Sequence, residues 1–122
     1  MAGIVHFSWF FRYMEEAEHA LWREAGLTIE SLDSRIAYPR VAASFDFHRV
    51  LRYQDEFDVY LRVVGISRRS ITYACVLKQG AVRIATGSLT VACAYRDPHH
   101  QWTSTDIPPE VAAGLQVADA EP

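Results

Sequence analysis

Residues 1–18 read Met1-Ala-Gly-Ile-Val-His-Phe-Ser-Trp-Phe-Phe-Arg-Tyr-Met-Glu-Glu-Ala-Glu18, and this stretch decides the fold. Phe10, Tyr13, Met14, Ala17, Ala20, Leu21 and Ala25 recur at three- and four-residue spacing, which predicts a helix over residues 9–25. Ser8 offers a side-chain oxygen as N-cap, and Gly26 stands where a helix stops. Arg12, Glu15, Glu16, Glu18, His19, Arg23 and Glu24 fill the other positions and read as the polar side. Trp9, Phe11 and Trp22 widen the apolar stripe, so the helix is expected to be covered on more than one side.

Downstream of Pro39 the pattern changes to strands. Residues 40–50 form one candidate. Residues 57–66 alternate with period two, with Phe57, Val59, Leu61 and Val63 on one face. Residues 70–78 form the next strand, and a turn at Gln79-Gly80 leads into a long strand over 82–95. Gly87 inside it marks a bulge or bend. The short connections favour antiparallel neighbours. Asp97-Pro98 closes the strand region, residues 107–115 read as a short helix opened by Pro108-Pro109, and the tail after Gln116 is expected to fray. One long helix followed by four antiparallel strands is an α+β pattern.

The chain has 122 residues, half of them hydrophobic, which suits a single domain over residues 1–122 with a real core. Mean hydropathy is near zero, and no apolar run reaches the roughly 18 residues of a membrane span. No signal peptide is visible, so a cytoplasmic location with no membrane partner is expected. A net charge of −3 gives no sign of nucleic-acid binding. Cys75 and Cys93 lie in apolar strand segments and read as buried reduced thiols, with a disulfide as the alternative. Adjacent His99 and His100 do not share a face for one metal, and no metal site is expected.

Gly3-Ile4-Val5-His6-Phe7, followed by Phe10, Tyr13, Glu15 and Ala17, resembles the motif that opens the long helix of hotdog-fold acyl-CoA thioesterases of the 4-hydroxybenzoyl-CoA thioesterase type. Four weaker segments follow in the family's order: Tyr38-Pro39-Arg40-Val41, Tyr53-Gln54-Asp55-Glu56-Phe57, residues 66–73, and Ile107-Pro108-Pro109-Glu110-Val111. The resemblance covers residues 1–111. It implies a hotdog fold, a long central helix wrapped by an antiparallel sheet.

The resemblance also implies hydrolysis of a coenzyme A thioester, with coenzyme A entering as part of the substrate and no separate cofactor. The thioester oxygen would face the start of the helix, where unpaired N–H groups and the positive dipole end gather, with the backbone N–H of Phe7 as the main donor. Gly3 fits a tight turn or a close backbone approach. His6, beside the expected carbonyl position, is either an acid, base or substrate contact or a packed surface residue. Trp9, Phe10 and Tyr13 are the expected acyl pocket. Arg68, Arg69 and Ser70 match the hairpin near bound coenzyme A, where paired guanidiniums suit phosphates. Glu15 and Glu16 are weighed as a replacement base against an ordinary solvated face, and Asp55 as a turn former.

The family motif has an Asp three residues before its Gly, a position that here would precede Met1. Family members often run Thr-Asp-Met-Ala-Gly-Ile-Val-His-Phe, so Met1 matches an internal methionine of the motif. The expectation is a polypeptide that starts inside its own motif, with a chain that naturally lacks the Asp as the alternative; either way the family's first strand and catalytic Asp are missing, and the sheet is short of one edge strand. Three readings stay open: a homo-oligomeric acyl-CoA thioesterase (dimer or tetramer, with sites between subunits), a non-catalytic hotdog protein that binds acyl-CoA or acyl carrier protein, and a hotdog dehydratase.

Overall fold

The computed structural model describes residues 3–29 and 35–118; Met1, Ala2 and the last four residues of the tail lie outside the described residues. Helix α1 runs over Ser8–Glu24. Its start corrects the capping expectation. Phe7 is the N-cap, in helical backbone geometry and without a side-chain cap, while the Ser8 hydroxyl bonds His6 instead. The helix stops as expected: Gly26 takes φ +76°, a left-handed value that glycine adopts freely, and the Leu27 N–H reaches back to the Trp22 carbonyl.

The buried residues of α1 are Phe10, Met14, Glu18 and Trp22, a ladder at four-residue spacing. Glu18, read from sequence as part of the polar side, is fully buried. Trp22, read as an extra aromatic, is among the most buried side chains of the protein.

The strands are β1 (Ile36–Ala37), β2 (Arg40–Phe47), β3 (Asp58–Ile66), β4 (Ser70–Gln79), β5 (Val82–Ala92), β6 (Ala94–Arg96) and β7 (Trp102–Ser104); a short helix α2 covers Pro109–Gly114. The main sheet has order β2-β5-β4-β3, antiparallel throughout, and β1-β6-β7 form a second small sheet. The single long strand expected over 82–95 therefore divides. At Cys93 the chain leaves the main sheet: its N–H donates to the Arg69 carbonyl and its own carbonyl accepts from Thr105. Strand β2, expected over residues 40–50, stops at Phe47, because the N–H groups of His48 and Arg49 both turn to the Ile84 carbonyl.

Gly87 is neither bulge nor bend. It pairs in register with Phe45 on one side and Cys75 on the other. A Cβ there would lie 2.6 Å from the Phe45 ring and 2.8 Å from the Ser44 carbonyl, so glycine serves close packing. The tail is tied down as far as it is described: Val117 bridges Val63, and the Ala118 N–H donates to the Val63 carbonyl.

Ile71, Tyr73, Cys75 and Leu77 alternate along β4 and form the sheet side of the core with Ile84, Leu89 and Val91 of β5, against α1. Cys75 and Cys93 are free, buried thiols. Among the described residues no helix is long and apolar enough to cross a membrane.

Candidate active site

The start of α1 is held by a short backbone clamp. Gly3, at φ +71°, accepts a hydrogen bond from the Tyr53 N–H (2.8 Å), and the Val5 N–H donates to the Leu51 carbonyl (2.7 Å). Asp55 organises the neighbouring turn by accepting from the Arg52 N–H. This clamp delivers the chain into the helix at Phe7.

The donors at a helix start are orphans unless capped. Here most are spoken for. The Trp9 N–H donates to the His6 carbonyl, the Phe10 N–H to the Phe7 carbonyl, and the Ser8 N–H to His6 Nδ1 (3.3 Å). Among the described residues the Phe7 N–H has no partner, and the Phe7 side chain is exposed. The Phe7 N–H thus stands at the positive end of the helix without a partner. His6 lies beside it. Its Nδ1 accepts the Ser8 N–H and sits 2.8 Å from the Ser8 hydroxyl, which leaves Nε2 to carry the proton of the neutral ring.

Around this point the rings separate into two sets. Phe10 is buried and packs edge-on against Phe47 (4.9 Å) and Phe45 (5.9 Å), so it is part of the core. Trp9 is 44% exposed, with Arg12 lying over it and Tyr13 alongside. Tyr13 also meets Phe57 at 5.0 Å, and burial, then Tyr53 and Glu16, push its phenol upward. Trp9 and Tyr13 therefore offer ring surface near the helix start, and Phe10 supports them from behind.

The arginine hairpin lies elsewhere. Arg69 Nε donates to Asp106 Oδ1 (2.9 Å), Arg68 Nε lies 3.4 Å from the same oxygen, and the Ser70 hydroxyl is 2.6 Å from that of Ser67. The Arg69 bond, aided by both positive charges, holds the Asp106 carboxyl below its usual range. Phe47, beside Phe10, sits in the sheet row of Ala85 and Leu77, whereas the hairpin opens at the row of Ile66 and Ile71. From Leu77 back to Ile71 along β4 is about 20 Å at ~3.3 Å per residue. Within one chain, Arg68, Arg69 and Ser70 are not brought to Phe7.

One cluster was missed by the sequence reading. Arg40, at the start of β2, donates through Nη1 and Nη2 to both carboxylate oxygens of Glu18. Glu18 also bonds the Tyr73 hydroxyl, which accepts from Trp22 Nε1 at 2.8 Å. Burial pushes the Tyr73 phenol well above its ordinary value. The signal was available: position 18 continues the ladder 10, 14, 22. Beside this cluster opens a cleft of about 600 Å³ lined by Glu15, His19, Tyr38, Pro39, Arg40 and Trp102 among others. Glu15 thus stands on the outer side of α1, 62% exposed, remote from the helix start.

Residues 2–85 match the model of the thioesterase superfamily. The chain belongs to that superfamily. An esterase-like protein of Aquifex aeolicus is 30% identical over 84 residues, a match that spans 68% of this chain and 66% of the relative's length. Among solved structures, a hypothetical protein from Aquifex aeolicus superposes with TM-score 0.84 at 26% identity, covering 93% of this chain and 87% of that one. A 1,4-dihydroxy-2-naphthoyl-CoA thioesterase from Synechocystis superposes with TM-score 0.82 at 21% identity, covering 93% and 83%. This thioesterase-superfamily chain has the hotdog fold: α1 lies against the antiparallel sheet as it does in those relatives.

Proposed function

We propose that this protein hydrolyses the thioester of an acyl-coenzyme A and that the Phe7 backbone N–H polarises the carbonyl. Water adds at the carbonyl carbon, the carbon–sulfur bond breaks, and a carboxylic acid and the coenzyme A thiol leave. The observation that carries the reading is the Phe7 N–H at the start of α1, unpaired among the described residues, in a chain of the thioesterase superfamily. A donor fixed by the helix backbone needs no reorganisation when charge develops on the oxygen. Trp9 and Tyr13 suit an aromatic acyl group, the kind named for the Synechocystis relative.

In the family motif the attacking or water-activating group is a carboxylate three residues ahead of the glycine that Gly3 matches. The coenzyme A end would be held by Arg68, Arg69 and Ser70, and their separation from Phe7 within one chain favours a site shared between two copies. Strand β2 supports that assembly. It is an edge strand of 8 residues, exposed along nearly its whole length and carrying Val41 and Phe47, and a second copy would extend the sheet across it.

Phe7→Pro tests the donor. Phe7 has φ −56°, which proline accepts, so the substitution removes the N–H at little cost to the fold. Hydrolysis of aromatic acyl-CoA substrates is measured for the 122-residue chain and for one extended by Thr-Asp ahead of Met1, each with Phe7→Pro and with Phe7→Ala. The expected result is higher activity in the extended chain, a loss of about 10²–10³ in kcat for Phe7→Pro, and a much smaller loss for Phe7→Ala. Equal loss in both variants would refute the backbone role. Tight binding with no turnover in either chain would replace hydrolysis by the binding reading.

A further inference from the structure

We infer that the outer edge of β3 is a self-association surface, where a second copy of this chain pairs antiparallel over residues 58–62. The inference stands on β3 itself and does not depend on the thioesterase reading.

Strand β3 ends the main sheet and has β4 on one side only. The Val63 carbonyl accepts from the Ala118 N–H, so it points away from β4. Backbone direction alternates along a strand, and the N–H and C=O groups of Val59 and Leu61 therefore point outward as well. Among the described residues no backbone group outside the sheet ladder meets them. A row of unpaired groups of this kind is a template for another strand. The row is short. It begins with β3 at Asp58, and Val117 and Ala118 occupy Val63, so an incoming strand has residues 58–62 to pair with.

The side chains decide the occupant. Val59 and Leu61 pack against the core, which puts Asp58, Tyr60 and Arg62 on the opposite face. A two-fold pairing centred on Tyr60 sets Asp58 of each copy opposite Arg62 of the other. Val59 then meets Leu61, and these two exchange N–H···O bonds through their outward groups. Tyr60 meets Tyr60 as a non-hydrogen-bonded pair, where side chains come closest. Asp58 already faces Lys78 across the β3–β4 pair, so it would stand between two cations. Other registers lose these matches. Centred on Leu61, the pairing needs Val63, which the tail holds, and sets Arg62 opposite Tyr60. Centred on Val59, it needs Phe57, outside the strand, and sets Asp58 opposite Tyr60. The segment is complementary to itself at one register, and that selects a second copy over an unrelated strand.

The test uses the full chain, with amide exchange at Val59 and Leu61 followed by NMR against protein concentration. In the unaltered chain that exchange should slow as concentration rises, whereas a copy added at β2 would slow amides within residues 40–47 instead. Asp58→Arg and Arg62→Asp each set like charges opposite one another, and each alone should pair at least about tenfold more weakly. Mixed together, the two variants restore both opposite-charge pairs, so the mixture should regain the protection of the unaltered chain. A change in folding alone would not recover on mixing. Exchange at Val59 and Leu61 that is independent of concentration would leave the edge open or give it to another segment of the chain, and would overturn the inference. So would protection confined to β2, or no recovery on mixing variants whose circular dichroism matches the unaltered chain.

Discussion

Replacing Arg40 by Met isolates the energetics of the buried cluster. The Glu18 side chain is 0% exposed, and its carboxylate oxygens are held by Arg40 and Tyr73. Met keeps most of the apolar stem of Arg40 and removes the charge. The variant then buries a carboxylate with one neutral hydroxyl donor in place of a two-point ion pair. Removing one partner of such a pair costs about 3–5 kcal/mol, mostly the uncompensated charge, whereas removing both is close to neutral. Arg40→Met should therefore lower the urea midpoint by roughly 2 M, taking a typical urea slope for a small protein. The double variant Glu18→Leu, Arg40→Met should recover most of that loss. Urea titration followed by far-UV circular dichroism gives the global value, and Trp22 emission reports the site, because its indole N–H ends the same chain of bonds. A loss below about 1 kcal/mol for Arg40→Met, or a double variant less stable than the single, would show that the pair is not isolated from water.

Gly87→Ala should destabilise by about 1–3 kcal/mol, seen in the same denaturation assay, because the new methyl meets the Phe45 ring and the immovable Ser44 carbonyl. Asp106→Asn should strengthen coenzyme A binding several-fold by freeing Arg68 and Arg69, and Arg69→Ala should weaken it with a shallower salt dependence; calorimetric titration at two ionic strengths checks both. Burial pushes the Cys75 thiol up to about 12, so the native protein holds its proton where the unfolded chain releases it. The unfolded state then binds fewer protons between the ordinary thiol value of 9.0 and about 12, and stability should fall as pH rises through that window. At pH 8 the native thiol should resist iodoacetamide until urea is added, and rapid native-state labelling would contradict the buried placement.

The reading of α1 from sequence succeeded because its apolar spacing and Gly26 stop signal are local properties of the chain. It failed at Glu18 for a physical reason. A carboxylate is assigned to solvent by its own hydration cost, and only a partner distant in sequence, Arg40, reverses that assignment. Ser8 failed as a cap because His6 competed for its hydroxyl, and nothing in the local sequence ranks the two partners. Gly87 was recognised as special, yet its purpose depends on the ring of Phe45 across the β2–β5 pair. The strand over 82–95 read as continuous because the change of sheet at Cys93 is imposed by the Arg69 and Thr105 backbones.

Much of the candidate site was legible in the same way. Gly3, Phe7 and the neighbouring rings follow one another along the chain, so a short motif could name them. Sequence by itself determined the long helix, the antiparallel strands and the segment that leaves a donor at the helix start, because propensity, periodicity and stop signals act over a few residues. Tertiary structure alone decided which donor stays unpaired, that the arginine hairpin opens about 20 Å away along the sheet, and that a helix glutamate turns inward to an arginine. Each of those depends on which distant backbone or side chain takes a hydrogen bond first, and that competition is settled only when the sheet and helix pack.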